Sequence, residues 1–393
     1  MMNYVNRPTK KLRSSAKKIG ELLATTLERD PYFYFFSPDE TTSNKFDKVF
    51  EVEKRAWGDL PQETWDLPES SGGRIIEMLS ENVLFSVMTG HLANGERAMM
   101  GSYEAFYPII TSQILQQMKF IKQTSATKWR APMPAVNLLS TSTCWRQDHN
   151  GFTHQSPALI STLLAIPSGL ANCIFPLDDM AAKESYEFML DSVNAVNLTT
   201  FDKNERPRYL SQQQASALFQ NGGAIILDNY SDKNPDIILA TCGDVVAHEG
   251  IKAIDVIKRD LPNLKIRFVY IGALSYQAIG LTSNKLSKKT FETIFGLEQP
   301  IVASFHGYAD TLLCILSHYT TRNRLHVHGF SEEGSTTTPC EMLRRNAVSR
   351  YDLAIDMATE LERPDLVAKY KNCLVNNHIH AIKYGEDDKA IFD

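Results

Sequence analysis

The sequence predicts an α/β protein built on parallel sheets covered by helices, and three observations carry that prediction. Short apolar, β-compatible runs alternate with helical windows over residues 135–199 and again over 236–305. The second series has the spacing of a right-handed βαβ crossover, with a strand over 236–241, a helix over 246–261 and a strand over 265–271. With 393 residues, 43% of them hydrophobic and 22% charged, the chain has enough apolar mass for two or three domains without staples.

Composition narrows the function classes. The formal charge of −5 and the lack of a basic face beyond residues 7–18, which hold six Lys/Arg, argue against a nucleic-acid binder. Cysteines 144, 173, 242, 314, 340 and 373 stand singly, with no C-x-x-C pair or zinc spacing, which fits a reducing, cytoplasmic setting. No apolar segment follows the N-terminal basic residues, so no secretory signal is expected. The most apolar window, 158–177, is interrupted by Ser161, Pro167, Ser168, Gly169 and Asn172, and reads as a buried helix, turn and strand instead of a membrane span.

Taken in order, residues 1–73 form an N-terminal arm, irregular in its second half, where Pro31, Pro38, Pro61 and Pro68 and the turn-rich 37–45 lie. Helices are expected over 16–28 and 44–57. A helix is also expected from Arg74, with Ile75, Ile76, Met78, Leu79, Asn82 and Val83 on one face. Glu81 falls inside that pattern, so it either points to solvent or is held inside with a raised proton affinity, a mark of function. The next helix, 103–122, opens with Tyr103, Phe106 and Tyr107. Strands over 135–139, 171–175 and 193–199 then alternate with helices over 157–165 and 180–190. Residues 230–235 read as a linker, giving a domain over 74–230 and another over 231–393, the latter with a further strand over 300–305. Cys242-Gly243-Asp244 has one glycine where a phosphate loop needs several, so it reads as a simple βα turn. His326 and His328 share a strand face, but without a placed third ligand a structural role is expected. The hydroxyls of 335–338 before Pro339 are suited to cap a helix over 340–357.

The densest polar stretch is W-R-Q-D-H-N-G-F-T-H-Q, residues 145–155. So many imidazole and amide groups are costly to bury without a ligand. The apolar run 135–143 delivers them to the end of a strand, where open α/β sheets bind ligands. A polar loop of ordinary hydrogen bonds is the plainer alternative. There is no G-x-S-x-G elbow, P-loop, H-E-x-x-H or glycine-rich dinucleotide fingerprint.

That stretch closely resembles the signature of the phosphoketolases, thiamine-diphosphate enzymes that split xylulose 5-phosphate or fructose 6-phosphate with inorganic phosphate to give acetyl phosphate. F-S-P-D-E-T-T-S-N-K (36–45), E-M-L-S-E (77–81), S-Y-E-A-F (102–106), G-D-V (243–245), H-G-Y (306–308), E-E-G-S-T-T-T-P (332–339) and Y-G-E-D-D (384–388) are similar to family motifs in family order. The resemblance implies two consecutive parallel-sheet three-layer domains like the transketolase pyrimidine-binding and C-terminal domains. The family's N-terminal domain binds the cofactor diphosphate and Mg2+ through G-D-G and a distant asparagine, a pattern these residues lack. The expectation is therefore a pyrimidine-binding subunit that needs a separate chain carrying the diphosphate-binding domain, in a homo- or hetero-oligomer.

By the same resemblance, Glu81 is the carboxylate that bonds the thiamine pyrimidine, and Tyr103 and Phe106 present rings to it. His154 and His149 serve as acid–base groups, with Gln147 and Asn150 holding substrate hydroxyls. Ser43, Lys45, His149 and Lys203 hold phosphate, Lys203 being placed by the likeness of K-N-E-R-P-R-Y-L to a family motif. Lys45 departs from the family's arginine, 156–159 replaces a D-P-G-like stretch, and Cys340 stands where an aromatic is usual. These changes leave open a non-catalytic or regulatory paralogue, or a split transketolase-like enzyme with a different substrate.

Overall fold

The computed structural model describes residues 9–57, 69–145 and 151–392. They fall into two compact units, one of Thr9–Thr143 and Ile166–Ser216, the other of Cys144–Ala165 and Ala217–Asp393.

The first unit is built on parallel strands β1 (Phe33–Ser37), β2 (Ile75–Glu77), β3 (Arg97–Tyr103), β4 (Val136–Thr141), β5 (Ala171–Ile174) and β6 (Val196–Thr200), in spatial order β5-β6-β4-β3-β1-β2. The two-residue strands Arg55–Ala56 and Glu69–Ser70 extend the edge beyond β2. Helices α1 (Ser15–Arg29), α2 (Glu81–Ala93), α3 (Thr111–Ser125) and α4 (Asp179–Asp191) belong to this unit. Central β1 reads F-Y-F-F-S because a parallel strand buried on both faces needs apolar groups at successive positions, and Phe33, Phe35 and Phe36 are fully buried. Register across β4, β6 and β5 is pinned by three stacked asparagines. Asn137 lies opposite Asn197, and Asn197 opposite Asn172. Asn197 Nδ2 donates to Asn137 Oδ1 and Asn172 Nδ2 to Asn197 Oδ1, both at 2.8 Å, while Asn137 Nδ2 donates to Met189 O at 3.0 Å. A one-residue slip of β6 breaks both bonds between the asparagines at once.

The second unit has strands β7 (Ala224–Ile226), β8 (Ile237–Cys242), β9 (Ile266–Ile271), β10 (Ile301–Tyr308) and β11 (Leu325–Phe330), ordered β7-β9-β8-β10-β11 and parallel except for β7. Helix α5 (Asp244–Asp260) follows β8 through Gly243, whose φ of +119° and contact with His306 leave no room for a side chain. Two further helices, α6 (Pro339–Arg345) and α7 (Arg350–Glu360), close the unit with the long helix Pro364–Tyr384. Buried Arg350 is bidentate to Glu249 of α5 through Nε and Nη2 at 3.0 and 2.8 Å, and its Nη1 donates to Phe392 O at 2.7 Å. His326 and His328 pair with Glu360 at 2.9 Å and Asp356 at 2.6 Å, so each imidazole of β11 has a carboxylate partner on α7. Among the described residues no helix is long and apolar enough to cross a membrane.

Four expected helices are corrected. The apolar cluster at 75–79 is strand β2 followed by a break, with α2 starting at Glu81 behind the Ser80 cap. At 103–122 the strand runs through Tyr103, a 3-10 segment containing Pro108 spans Glu104–Ile110, and only then does α3 begin. The window 340–357 is two helices, because Ala347 takes φ +54° and Ser349 with Asp352 forms a capping box that starts α7 afresh. Within 44–57 only the 3-10 turn Asp47–Glu51 is helical.

Candidate active site

In the first unit β2 is added on one side of β1 and β3 on the other, so the border of β1 and β3 is a topological switch point. The loop leaving β1 is held there by its own sequence. Asn44, fully buried, accepts hydrogen bonds from Thr141 Oγ1 at 3.0 Å and Ser142 Oγ at 3.2 Å. Phe46 sits beneath Gly101, where a Cβ would come within 2.9 Å of its ring. The loop turns at Asp39 and Lys45, both with positive φ of about the left-handed helical value.

These constraints present Glu40 to the end of β3. One Glu40 carboxylate oxygen accepts from Tyr103 N at 2.8 Å. Tyr103 Oη donates to Ser43 Oγ at 2.8 Å, and Ser43 Oγ donates to Glu40 O at 3.1 Å. The Tyr103 ring stacks on Phe106 with centroids 6.2 Å apart and planes 17° off parallel, and Lys203 Nζ lies 5.1 Å from its centre. Burial, against the Tyr103 amide and reinforced by the Glu81 carboxylate, pushes the Glu40 pKa up to about 7. Glu81 itself opens α2, partly exposed, with Ser80 Oγ accepting from Val83 N at 3.4 Å.

Of the sequence-predicted residues, Ser43, Tyr103, Phe106 and Lys203 are thus brought together around one ring. Glu81 reaches them through the field of Glu40, and Lys45 lies two residues beyond Ser43. His154 belongs to the second unit, in the 3-10 turn Gly151–His154, with Thr153 Oγ1 2.8 Å from its Nδ1. Gln147, His149 and Asn150 lie outside the described residues. Glu40 is the residue that sequence reasoning missed. Its signal was present, since P-D-E-T-T-S-N-K carries it between a proline turn and Ser43, but a lone glutamate in a loop has no periodicity to mark it as buried.

A half-buried, nearly parallel ring pair thus lies beside the raised Glu40 carboxyl at the switch point, with Glu81 contributing to that carboxyl's field. The fold that carries it is transketolase-like. A transketolase from Pichia stipitis matches 94% of this chain and 49% of its own with a TM-score of 0.68 at 17% identity. A split-gene transketolase, described as an inactive beta4 tetramer, matches 90% of this chain and 99% of its own with a TM-score of 0.56 at 14% identity. Sequence goes further than fold. Residues 17–192 match the family D-xylulose 5-phosphate/D-fructose 6-phosphate phosphoketolase and residues 203–393 match the XFP C-terminal domain. A probable phosphoketolase of Nostoc sp. is 32% identical over 99% of this chain and 50% of its own length. The chain belongs to the phosphoketolase family, and it spans about half the length of the curated relatives it matches.

Proposed function

We propose that this chain supplies the pyrimidine-binding half of a thiamine-diphosphate-dependent phosphoketolase. Its reaction cleaves xylulose 5-phosphate or fructose 6-phosphate with inorganic phosphate to acetyl phosphate and an aldose phosphate. The observation that carries this reading is the convergence of Glu40, Ser43, Phe106 and Lys203 on Tyr103 at the switch point, beside Glu81. The diphosphate-binding half, with its Mg2+, comes from a further segment or a separate chain. That a split-gene transketolase chain is matched over 99% of its length supports the separate chain and an oligomeric assembly.

Thiamine diphosphate, when bound, supplies the nucleophilic carbon that opens the ketose. Glu81 would hold the pyrimidine nitrogen of the cofactor and share its proton, and Tyr103 with Phe106 would hold the ring. Ser43, Lys45, His149 and Lys203 hold phosphate, a hydroxyl, two ammonium groups and an imidazole being donors suited to a dianion. His154 and His149 move protons to and from substrate oxygens, and Gln147 and Asn150 orient its hydroxyls.

The test is to co-express the chain with a diphosphate-binding half, then measure thiamine diphosphate binding by calorimetry and acetyl phosphate by colour assay. Binding together with loss of turnover in Glu81→Gln and His154→Ala is expected. Absence of cofactor binding, or full turnover in Glu81→Ala, sinks the reading. Lys45 favours a second one, since an ammonium at the family's arginine position is a point charge where a fork is usual. On that reading the chain transfers a ketol group from a different sugar, or regulates a full-length phosphoketolase without turnover of its own. Product analysis over several donors and acceptors separates these.

A further inference from the structure

Two observations in the second unit bear on His154. The first is local: Thr153 Oγ1 stands 2.8 Å from His154 Nδ1. The second is the way the turn beneath them is seated. Gly151, at φ +65°, faces Thr336 so closely that a Cβ would sit 2.2 Å from Thr336 Oγ1. Gly334 faces Gln155, where a Cβ would sit 1.9 Å from Gln155 Oε1, and Gln155 Nε2 donates to Ser335 O at 3.4 Å. The segment pressing on the turn is itself tied down. Ser331 N and Oγ donate to Asn346 Oδ1 at 2.8 and 3.0 Å, and Asn346 Nδ2 donates to Glu333 O at 3.1 Å. At its far end Thr338 Oγ1 donates to Asp387 Oδ1 at 2.6 Å. The backbone carrying Thr153 and His154 is therefore fixed by close packing and hydrogen bonds, and a contact between neighbouring side chains has a defined geometry there.

A neutral imidazole has one proton to place, and the nitrogen that accepts a hydrogen bond sends that proton to the other. We propose that Thr153 is a positioning residue that sets the tautomer of His154: its hydroxyl donates to Nδ1, so the neutral ring carries its proton on Nε2. This rests on the reading of His154 as an acid–base group. The direction follows from the chemistry in that reading. A substrate oxygen that gains negative charge during the reaction needs a hydrogen-bond donor, and an Nε2–H ring presents one while staying neutral and keeping its proton. Were Nδ1–H to donate to Thr153 instead, Nε2 of the neutral ring would be an acceptor.

Nitrogen-15 NMR of the histidine-labelled full chain, at a pH where the ring is neutral, reads the tautomer without cofactor or turnover. The His154 signals are assigned by their loss in His154→Gln. Wild type is expected to show a protonated Nε2 and an unprotonated Nδ1. Thr153→Val, of similar shape but without the hydroxyl, gives a tautomer mixture, and Thr153→Ser restores the wild-type pattern. In the completed enzyme Thr153→Val lowers kcat by about tenfold, a part of the 10²–10⁴ range for general acid–base catalysis, with KM changed far less, and Thr153→Ser recovers most of the loss. An Nδ1–H ring in wild type, or an unchanged tautomer in Thr153→Val, overturns the proposal. If the tautomer shifts as expected but His154→Gln retains turnover, Thr153 holds its role in setting the ring and the catalytic reading of His154 is what fails.

Discussion

The carboxylate of Glu40 accepts a hydrogen bond from the backbone N–H of Tyr103 at 2.8 Å, joining the loop after β1 to the end of β3. Because this bond crosses the switch point, Glu40 holds in place the backbone of the residue on which Ser43, Phe106 and Lys203 converge.

The first prediction concerns pH. Burial raises the Glu40 pKa from an ordinary 4.5 to about 7, so between those values the folded chain holds a proton here that the unfolded chain has lost. The stability that proton contributes is complete below about pH 4.5 and is lost as pH rises through about 7. Glu40→Gln, which stays uncharged, is expected to flatten the fall in urea midpoint across that window. Parallel pH profiles of wild type and variant would show Glu40 to be ordinary.

At Lys45 the expected change is a gain. The Lys45→Arg substitution offers a two-pronged donor where the lysine offers a point charge, and the φ of +62° there suits arginine as well as lysine. On the proposed function, the KM for the sugar phosphate in the completed enzyme should fall by a factor of a few with kcat little altered. An unchanged KM in steady-state assays would separate Lys45 from phosphate recognition.

The asparagine stack sets a stability test. Asn197→Ala removes the donor to Asn137 Oδ1 and the acceptor of Asn172 Nδ2, and a lost buried hydrogen-bond partner costs about 1–3 kcal/mol. A loss of about 2–5 kcal/mol by chemical denaturation is expected. A change within about 0.5 kcal/mol, the usual range of surface substitutions, would mean that the stack does not hold the strands in register.

In the second unit the Glu249–Arg350 pair is the sensitive point. Arg350→Met strands a buried carboxylate and frees Phe392 O, with an expected cost of about 3–5 kcal/mol. Adding Glu249→Leu should return most of that loss, because the uncompensated charge goes with it. Equal loss in single and double variants, measured by denaturant unfolding, would place the cost in packing instead.

What was legible in the sequence follows from what each segment contributes to packing. Strands β4, β5, β6, β8, β9 and β10 stood out because apolar runs bounded by turn residues alternate with helices at the spacing of a crossover. Strand β1 did not, since Pro31 and Pro38 bracket it and a strand buried on both faces has no alternation to read. Ile75 and Ile76 were merged with the helix that follows because a short apolar cluster fits either period, and only Ser80, the true cap, divides them. The restart at Ser349 was signalled by S-R-Y-D, a capping box inside an otherwise continuous helical pattern. Around Tyr103 the family motifs named the ring pair, Ser43 and Lys203. Glu40 became visible only once β1 and β3 were neighbours, a relation between residues far apart in sequence.

The first unit is not one run of chain, for Cys144–Ala165 belongs to the other unit before the chain returns at Ile166. During synthesis β4 is complete at Thr141, yet its neighbour β6 ends only at Thr200. At roughly 5–20 residues per second this edge stays open on the order of several seconds. Asn137 sits on that waiting edge, and a wrongly added strand that offers it no partner carries a buried, unsatisfied amide. The asparagine that fixes register in the finished sheet thus also makes a mismatched neighbour on that edge costly.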